Sequence, residues 1–471
     1  MLEGQEISVL LKLELENQFT IGAEFYGKTF IQSLKTLKKS SLKIVNLSEI
    51  ASLITDGDHG APDYKESGVL YLLSESIKEG YIDENIYRYI SPKLHKELKR
   101  SSLHKGDVLV TKTGIYFGKS AVIPENFPEA NTSAHVGKIS IKDGKINPYF
   151  LSTFINSCYG YLQFRRRGIK ATRPEIKLIE FNDIKIGIPS TLLQDKIESI
   201  IKKANELRHK SFETYANIET VLLEIIGLNN FTPSTNNINI KSLGDSFLTS
   251  GRLDAEYYQP KYEEIITAIK ANKNGNNMLV DFIANYSTGY PYKSESYAEE
   301  GIPIIRINNI KLGELDLSNA AKVPFSDISL SPKDIANEND ILISMSGTIG
   351  SSCKIPKGIK ALVNQRIMRI TPQKYNFDVL PFIINSVIGQ YQLERIGTGG
   401  VQTNISSKDI KEILIPVIEK GQLLRIESLI NESFSLKKRS EYILDVAKKA
   451  VEMAIEENEE KAMKYIKDNI N

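Results

Sequence analysis

Cysteine, histidine and net charge are all scarce in this chain, and each scarcity removes a class of function. Of 471 residues only Cys158 and Cys353 are cysteine, and they fall at non-corresponding places of the internal repeat described below. That excludes a disulfide framework or a cysteine-based zinc site, and it fits a reducing cytoplasm. The five histidines, His59, His95, His104, His135 and His209, all lie in the first half, so chemistry shared by two repeated halves cannot depend on histidine. The formal net charge is only +2; nucleic-acid binding would require local basic patches, or a partner supplying much of the positive field. No apolar run approaches the ~18 residues of a membrane span, and no basic-then-apolar leader is expected from the first residues. Neither a membrane partner nor a resident metal is expected.

What the chain does have is a long internal repeat. AEFY at Ala23–Tyr26 returns as AEYY at Ala255–Tyr258. KGDVLVTKTGIYFGKSAVIP (Lys105–Pro124) returns as ENDILISMSGTIGSSCKIP (Glu338–Pro356), and DIKIGIP (Asp183–Pro189) as DIKEILIP (Asp409–Pro416). A repeat at about 230 residues is a duplicated domain with its connector, whereas solenoid units recur every ~20–50 residues. Such duplication predicts a pseudo-two-fold molecule that grips something with two halves.

Each half reads as a mixed α+β domain of short strands and few helices. The apolar stretches Tyr149–Gln163 and Phe382–Leu393 read as helices, started near Pro148 and Pro381, with Asn147 as an N-cap. After Pro189 the period changes: Ile197, Ile201, Ala204, Arg208, Ser211, Tyr215, Ile218, Leu222 and Ile225 step by four and three, a heptad seam with a polar centre. Gly227 is placed to end that helix. After Pro416 the seam recurs through Leu423, Ile426, Ile430, Ser433, Lys437, Ser440, Leu444, Ala447, Val451 and Ala454. Each helix would be roughly 50 Å long, and two such amphipathic helices are expected to pair antiparallel. The expected order is a first mixed domain over 1–188, a central helix over 189–228, a linker over 229–247, a second mixed domain over 248–415 and a distal helix over 416–471.

Several enzyme-like strings dissolve on inspection. TGIYFGKS (Thr113–Ser120) nearly matches a phosphate-binding loop, but Thr113 stands where the first glycine is required, and the repeat copy SGTIGSSC has no lysine. A strand–turn–strand with glycines at special backbone angles is the expected structure. NPYF (Asn147–Phe150) lacks the second proline of a methyltransferase tetrad, and PDYK (Pro62–Lys65) lacks a nuclease partner motif. The basic cluster is more informative. Arg165, Arg166, Arg167, Lys170 and Arg173 read as one loop, and its counterpart ERIGTGGVQTNIS carries Arg395, Thr398, Gln402 and Thr403 between glycines. Arginine can contact guanine or phosphate and glutamine can contact adenine, while glycine permits close backbone approach. Tyr290, Tyr292 and Lys293 in STGYPYKSES match His59 and Lys65 in GDHGAPDYK, and Lys112 and Lys119 flank the glycine turn. These are the candidate DNA-binding residues; no catalytic set emerges.

In this order, twice over, the Gly-Asp-apolar-strand-Ser/Thr-Gly signature, the loop GTGGVQTNIS before DIKEILIP, and the proline-led heptad helices resemble the DNA-specificity subunits of type I restriction-modification systems. The first copy departs by reading GIKATRPEIK at the loop. The resemblance implies two target-recognition domains, each reading one half of a split, asymmetric site on double-stranded DNA. It implies a helix pair that acts as a spacer and docks two copies of an adenine-specific methyltransferase subunit, and through them restriction or translocase subunits. The seam residues Ile197, Ile201, Ala204, Tyr215, Ile218, Leu222, Ile225, Ile426, Ile430, Leu444, Ala447 and Val451 are the candidates for helix packing and partner docking. The chain itself would be non-catalytic, without a cofactor; S-adenosylmethionine, ATP and Mg would reside on the partners. Two other readings stay open: the specificity subunit of a type IIB-like methylase–nuclease complex, and a duplicated structural adaptor without DNA readout.

Overall fold

A computed structural model of the chain describes residue 8 and residues 22–470, except 61, 84, 169–173, 230, 237 and 398–403. Two compact units emerge. The first comprises residues 1–210 and 436–471, the second residues 211–435.

In the first unit the strands are β1 (Lys43–Asn46), β2 (Ala51–Asp56), β3 (Val69–Leu72), β4 (Tyr87–Ile90), β5 (Val108–Thr111), β6 (Ser120–Val122), β7 (Ala130–Thr132), β8 (Val136–Ile141) and β9 (Lys185–Ile188). They form a four-stranded sheet β2-β8-β5-β6, a three-stranded sheet β4-β3-β7 and the pair β1-β9. The second unit repeats the plan with β10 (Asn276–Met278), β11 (Ile283–Ser287), β12 (Ile302–Ile305), β13 (Lys322–Val323), β14 (Ile335–Ala336), β15 (Ile341–Ser344), β16 (Ser352–Lys354), β17 (Ala361–Val363), β18 (Ile367–Pro372) and β19 (Leu414–Pro416). Its sheets run β11-β18-β15-β16, β13-β12-β17-β14 and β10-β19. Pairing is antiparallel except for β3 with β7 and β12 with β17.

The apolar run at β5 reflects burial on both faces. Val108 and Val110 enter the main core, while Leu109 enters a second core beneath the three-stranded sheet. In β15, Ile341 and Ile343 face one core and Leu342 the other. The string that mimics a phosphate loop is β5–turn–β6, with Gly114 and Gly118 at φ +79° and +81°.

Two expected helices are each broken in two. Pro148–Asn156 is followed by Cys158–Gly168, and Val379–Asn385 by Val387–Gly397. Ser157 and Ser386 sit at the corners and donate to Phe154 O and Ile383 O. Beyond each corner the chain passes so close to the preceding helix that a Cβ on Gly160 or Gly389 would lie 2.2 or 2.3 Å from a main-chain oxygen. Asn147 is the N-cap, accepting from Tyr149 N at 2.9 Å.

The heptad seams form helices Thr191–Ile225 and Lys420–Glu456. Gly227, at φ +79°, ends the first, with Leu228 N donating to Leu223 O at 2.8 Å. Within the first unit, Ser440 Oγ donates to Ala204 O at 2.7 Å and Ser190 N to Glu459 Oε1 at 2.9 Å, so the helices run antiparallel there. Within the second unit, Ser211 Oγ donates to Ser433 O and Ser433 Oγ to Ser211 O, at 2.7 and 2.8 Å. The serines of the polar seam centre are thus small enough to let the helix backbones approach within reach of their hydroxyls. A separate helix, Glu459–Ile470, follows a break capped by Asn458; the heptad pattern does not mark it.

Candidate nucleic-acid interface

The twice-repeated strand-start motif is a buried ion pair. Gly106 and Asn339 both adopt left-handed backbone, at φ +81° and +69°, where an unbranched or absent side chain is favoured. The next residue turns its carboxylate inward. Asp107 meets Lys138 Nζ at 3.1 Å, Ser140 Oγ at 2.6 Å and His104 N at 2.8 Å. Asp340 meets Arg369 Nη1 at 3.1 Å, Thr371 Oγ1 at 2.6 Å and Asn337 N at 3.0 Å. Both units also pin a strand with an asparagine: Asn156 exchanges two bonds with the Ser120 backbone, and Asn385 with that of Ser352. The residues most visible in the repeat therefore build the frame. They do not point at a ligand.

The frame delivers β5 and β15 to a common end of each unit. There Lys112 N donates to His135 O, and Ile176 N to Lys112 O; in the second unit Met345 N donates to Arg366 O, and Ile405 N to Met345 O. The β2–β3 and β11–β12 connections pass the same end. Gly57 and Gly289 lie so close to the neighbouring strand that a Cβ would meet Thr132 O at 1.8 Å and Asn364 O at 2.0 Å.

Several sequence candidates prove to be internal. Arg166 and Arg167 lie on the helix Cys158–Gly168, not in a loop, and both are buried. Arg166 Nε donates to Phe25 O at 2.6 Å with its guanidinium 3.8 Å from the Phe25 ring centre. Arg395 repeats the arrangement: Nε to Tyr257 O at 3.0 Å and the guanidinium 4.3 Å from the Tyr257 ring. Both arginines clamp the AEFY/AEYY turn to a helix. Arg167 approaches Glu180 at 3.6 Å. Arg165, on the same helix, is exposed. Lys170, Arg173, Thr398, Gln402 and Thr403 lie outside the described residues.

Lys112 is buried, its Nζ 2.6 Å from Asp56 Oδ2. Lys119 is half-buried, 3.9 Å from Glu79 and near the Tyr116 ring. In the second unit Tyr290 is half-buried and Lys293 exposed, while Tyr292 is buried with its ring centre 4.8 Å from that of Tyr290. Burial, then Asp334 and Asp327, pushes the Tyr292 phenol up to about 12. His59 and Arg100, both largely exposed, converge on Asp56 at 3.2 and 3.4 Å, and Thr113 Oγ1 lies 2.9 Å from His135 Nδ1. Arg100 escapes sequence reading because it sits in an unremarkable polar stretch, KELKRSSLHK, 44 residues from its carboxylate.

The seam residues are consumed by their own units. Ile197, Ile201, Ala204, Leu444, Ala447 and Val451 are buried in the first core, and Ile218, Leu222, Ile426 and Ile430 in the second, with Tyr215 and Ile225 packed against it. They are helix-packing residues, and a docking partner needs a different surface. Among the described residues no group of three or more His, Cys, Asp or Glu could hold a metal ion, and no helix is long and apolar enough to cross a membrane.

The type I restriction modification DNA specificity domain family matches residues 39–214 and 279–422, more than half of the chain. The chain is 27% identical over 149 residues to the type I restriction enzyme EcoBI specificity subunit of Escherichia coli, and 26% identical over 185 residues to the EcoAI specificity subunit of the same organism. These matches take in 30% and 35% of this chain and span about a third of the length of the relatives, 31% and 29%. Among solved structures, the type I restriction-modification S subunit from M. genitalium aligns over 91% of this chain and 96% of its own, with 14% identity and a TM-score of 0.34. The HsdS subunit from Thermoanaerobacter tengcongensis aligns over 88% and 97%, with 13% identity and a TM-score of 0.29. By the match of the family over residues 39–214 and 279–422, the chain belongs to the type I restriction modification DNA specificity domain family.

Proposed function

We propose that this chain is the DNA-specificity subunit of a type I restriction-modification complex, in which each unit reads one half of a bipartite, asymmetric site on double-stranded DNA. The observation that carries the reading is a frame kept twice with divergent ends. The Asp107–Lys138 and Asp340–Arg369 pairs recur, yet the strand ends they support hold Lys112 and Asp56 in one unit against Met345 and Thr288 in the other. Two similar scaffolds whose strand ends are built from unlike residues suit two unlike half-sites. Half-sites about one helical turn (~34 Å) apart are readable from one face of the duplex, a span that helices of 35 and 37 residues can bridge.

In this reading the chain supplies recognition in the cytoplasm. Two adenine methyltransferase subunits, and restriction subunits acting through them, supply the chemistry along with S-adenosylmethionine, ATP and Mg. Long-read methylome sequencing of the host with and without this gene tests it. Loss of methyl-adenine at one split motif is the expected outcome. If no motif disappears while the cognate methyltransferase is expressed, the reading fails.

A further inference from the structure

The turn between β17 and β18 carries an arginine in a backbone conformation that arginine avoids. Arg366 sits at φ +70°, in the left-handed region where glycine is the usual occupant. The surrounding bonds hold it there. Asn364 N donates to Ile305 O at 3.0 Å, Gln365 N to Tyr290 O at 3.0 Å, and Met345 N to Arg366 O at 2.9 Å. The Asn364 side-chain oxygen accepts from Gln365 N at 2.9 Å and from Tyr292 N at 3.2 Å, tying the turn to the β11–β12 connection. Backbone determined from so many sides lets a strained residue persist, and such residues gather where proteins touch ligands.

What the strain presents is an open guanidinium. Arg366 is exposed, and none of its Nε, Nη1 and Nη2 has a hydrogen-bond or ion-pair partner among the described residues. Both edges of the donor fork, Nε with Nη2 and Nη1 with Nη2, are therefore free, and either matches the O6 and N7 acceptors of one guanine. Strand register identifies the equivalent place in the first unit. Ile367 pairs with Ser344 as Val136 pairs with Thr111, and Lys112 N donates to His135 O as Met345 N does to Arg366 O. His135 occupies that place outside the left-handed region, with Nδ1 2.9 Å from Thr113 Oγ1. The frame bonds are kept and the residue at the tip is exchanged, as two copies that touch different sequences require. Lys293 and Lys333 are exposed on the adjoining loops; Tyr292 N, just before Lys293, bonds Asn364, and Lys333 O accepts from Arg369 Nη2 at 3.0 Å. Lysines are point charges suited to phosphates, which leaves the planar fork for a base. Resting on the DNA-specificity reading above, we propose that Arg366 is a specificity-determining residue of the second unit, contacting a guanine of its half-site through two donors of its fork.

The complex purified from the host on the full chain is mixed with a pool of random-sequence duplex DNA, and the bound fraction is sequenced. The wild-type complex should recover a split motif. Arg366→Gly suits the left-handed backbone and removes the fork; Arg366→Lys keeps the charge and lacks the fork. Each should lower the preference for one guanine in one half-site by on the order of tenfold or more, with the other half-site and the melting temperature unchanged. A guanine preference unchanged in Arg366→Gly, or fully kept in Arg366→Lys, overturns the proposal while leaving the functional reading intact. So does a uniform loss at all positions with a shallower salt dependence, as expected of a phosphate contact. Failure of the wild-type complex to select any motif overturns the functional reading, and this proposal with it.

Discussion

Lys138→Met probes whether the repeated strand-start motif is held by its buried ion pair. The Lys138 and Asp107 side chains are 3% and 5% exposed and 3.1 Å apart. Removing the ammonium strands a carboxylate away from water, with Ser140 Oγ at 2.6 Å and His104 N at 2.8 Å as its remaining donors. Breaking a buried pair from one side costs about 3–5 kcal/mol, and the two surviving donors put the expected loss near the lower end, about 3 kcal/mol. In a unit of this size each kcal/mol moves the melting temperature by about 2–4 °C, so the first unit should melt roughly 6–12 °C lower. Calorimetry of the full chain measures the shift, and hydrogen exchange locates it. Amides of β5 and β8 should lose protection, while β15 and β18, which have their own Asp340–Arg369 pair, should not. Adding Asp107→Asn removes the stranded charge; its single amide oxygen can still accept from His104 N, and the Ser140 hydroxyl can turn to accept from the amide nitrogen, so the double variant should recover at least half of the loss. A single-variant loss below about 1 kcal/mol, or a double variant as unstable as the single, refutes the argument.

Arg395→Ala should cost the second unit about 2 kcal/mol, because it removes a charged donor to Tyr257 O and the stacking on that ring. Arg165→Ala, at an exposed site, should leave melting within about 0.5 kcal/mol and weaken DNA binding by about 1–3 kcal/mol if the side chain contacts a base; the opposite pattern in denaturation and binding titrations would refute both assignments. The buried Tyr292 phenol, raised from 10.0 to about 12 by burial, costs the fold nothing while neutral below pH 10, and stability is lost progressively as pH rises from 10 through about 12, where only the unfolded chain ionises freely. Tyr292→Phe should therefore be neutral at pH 7, since the hydroxyl has no hydrogen-bond partner among the described residues, and should flatten the stability loss between pH 10 and 12. Equal alkaline slopes for the two proteins in denaturation curves would count against it.

Features governed by near neighbours in the chain were legible in advance. The Asn147 cap, the Gly227 stop and the glycine turn after β5 each depend on backbone angles within a few residues. The seam serines Ser211 and Ser433 showed as a polar break in a heptad. The arginine cluster was not legible in the same way. Arg165, Arg166 and Arg167 are adjacent, yet one is exposed and two are buried, because the helix rotates successive side chains by about 100° and only two face the core. Nor does any local pattern announce the corners at Gly160 and Gly389, where an apparently continuous helix has to fold back against itself.

The sequence by itself determined the duplication, the α+β class, the two long helices and the family, because all of these are written in period, order and repetition. Only the tertiary structure decided which charged residues serve the frame and which remain available. Arg166 is committed by a carbonyl 141 residues away, Lys112 by a carboxylate 56 residues away, and Arg100 is tied to that same carboxylate. A charge buried or exposed is a property of what folds against it, and that partner lies too far along the chain for any spacing rule to name.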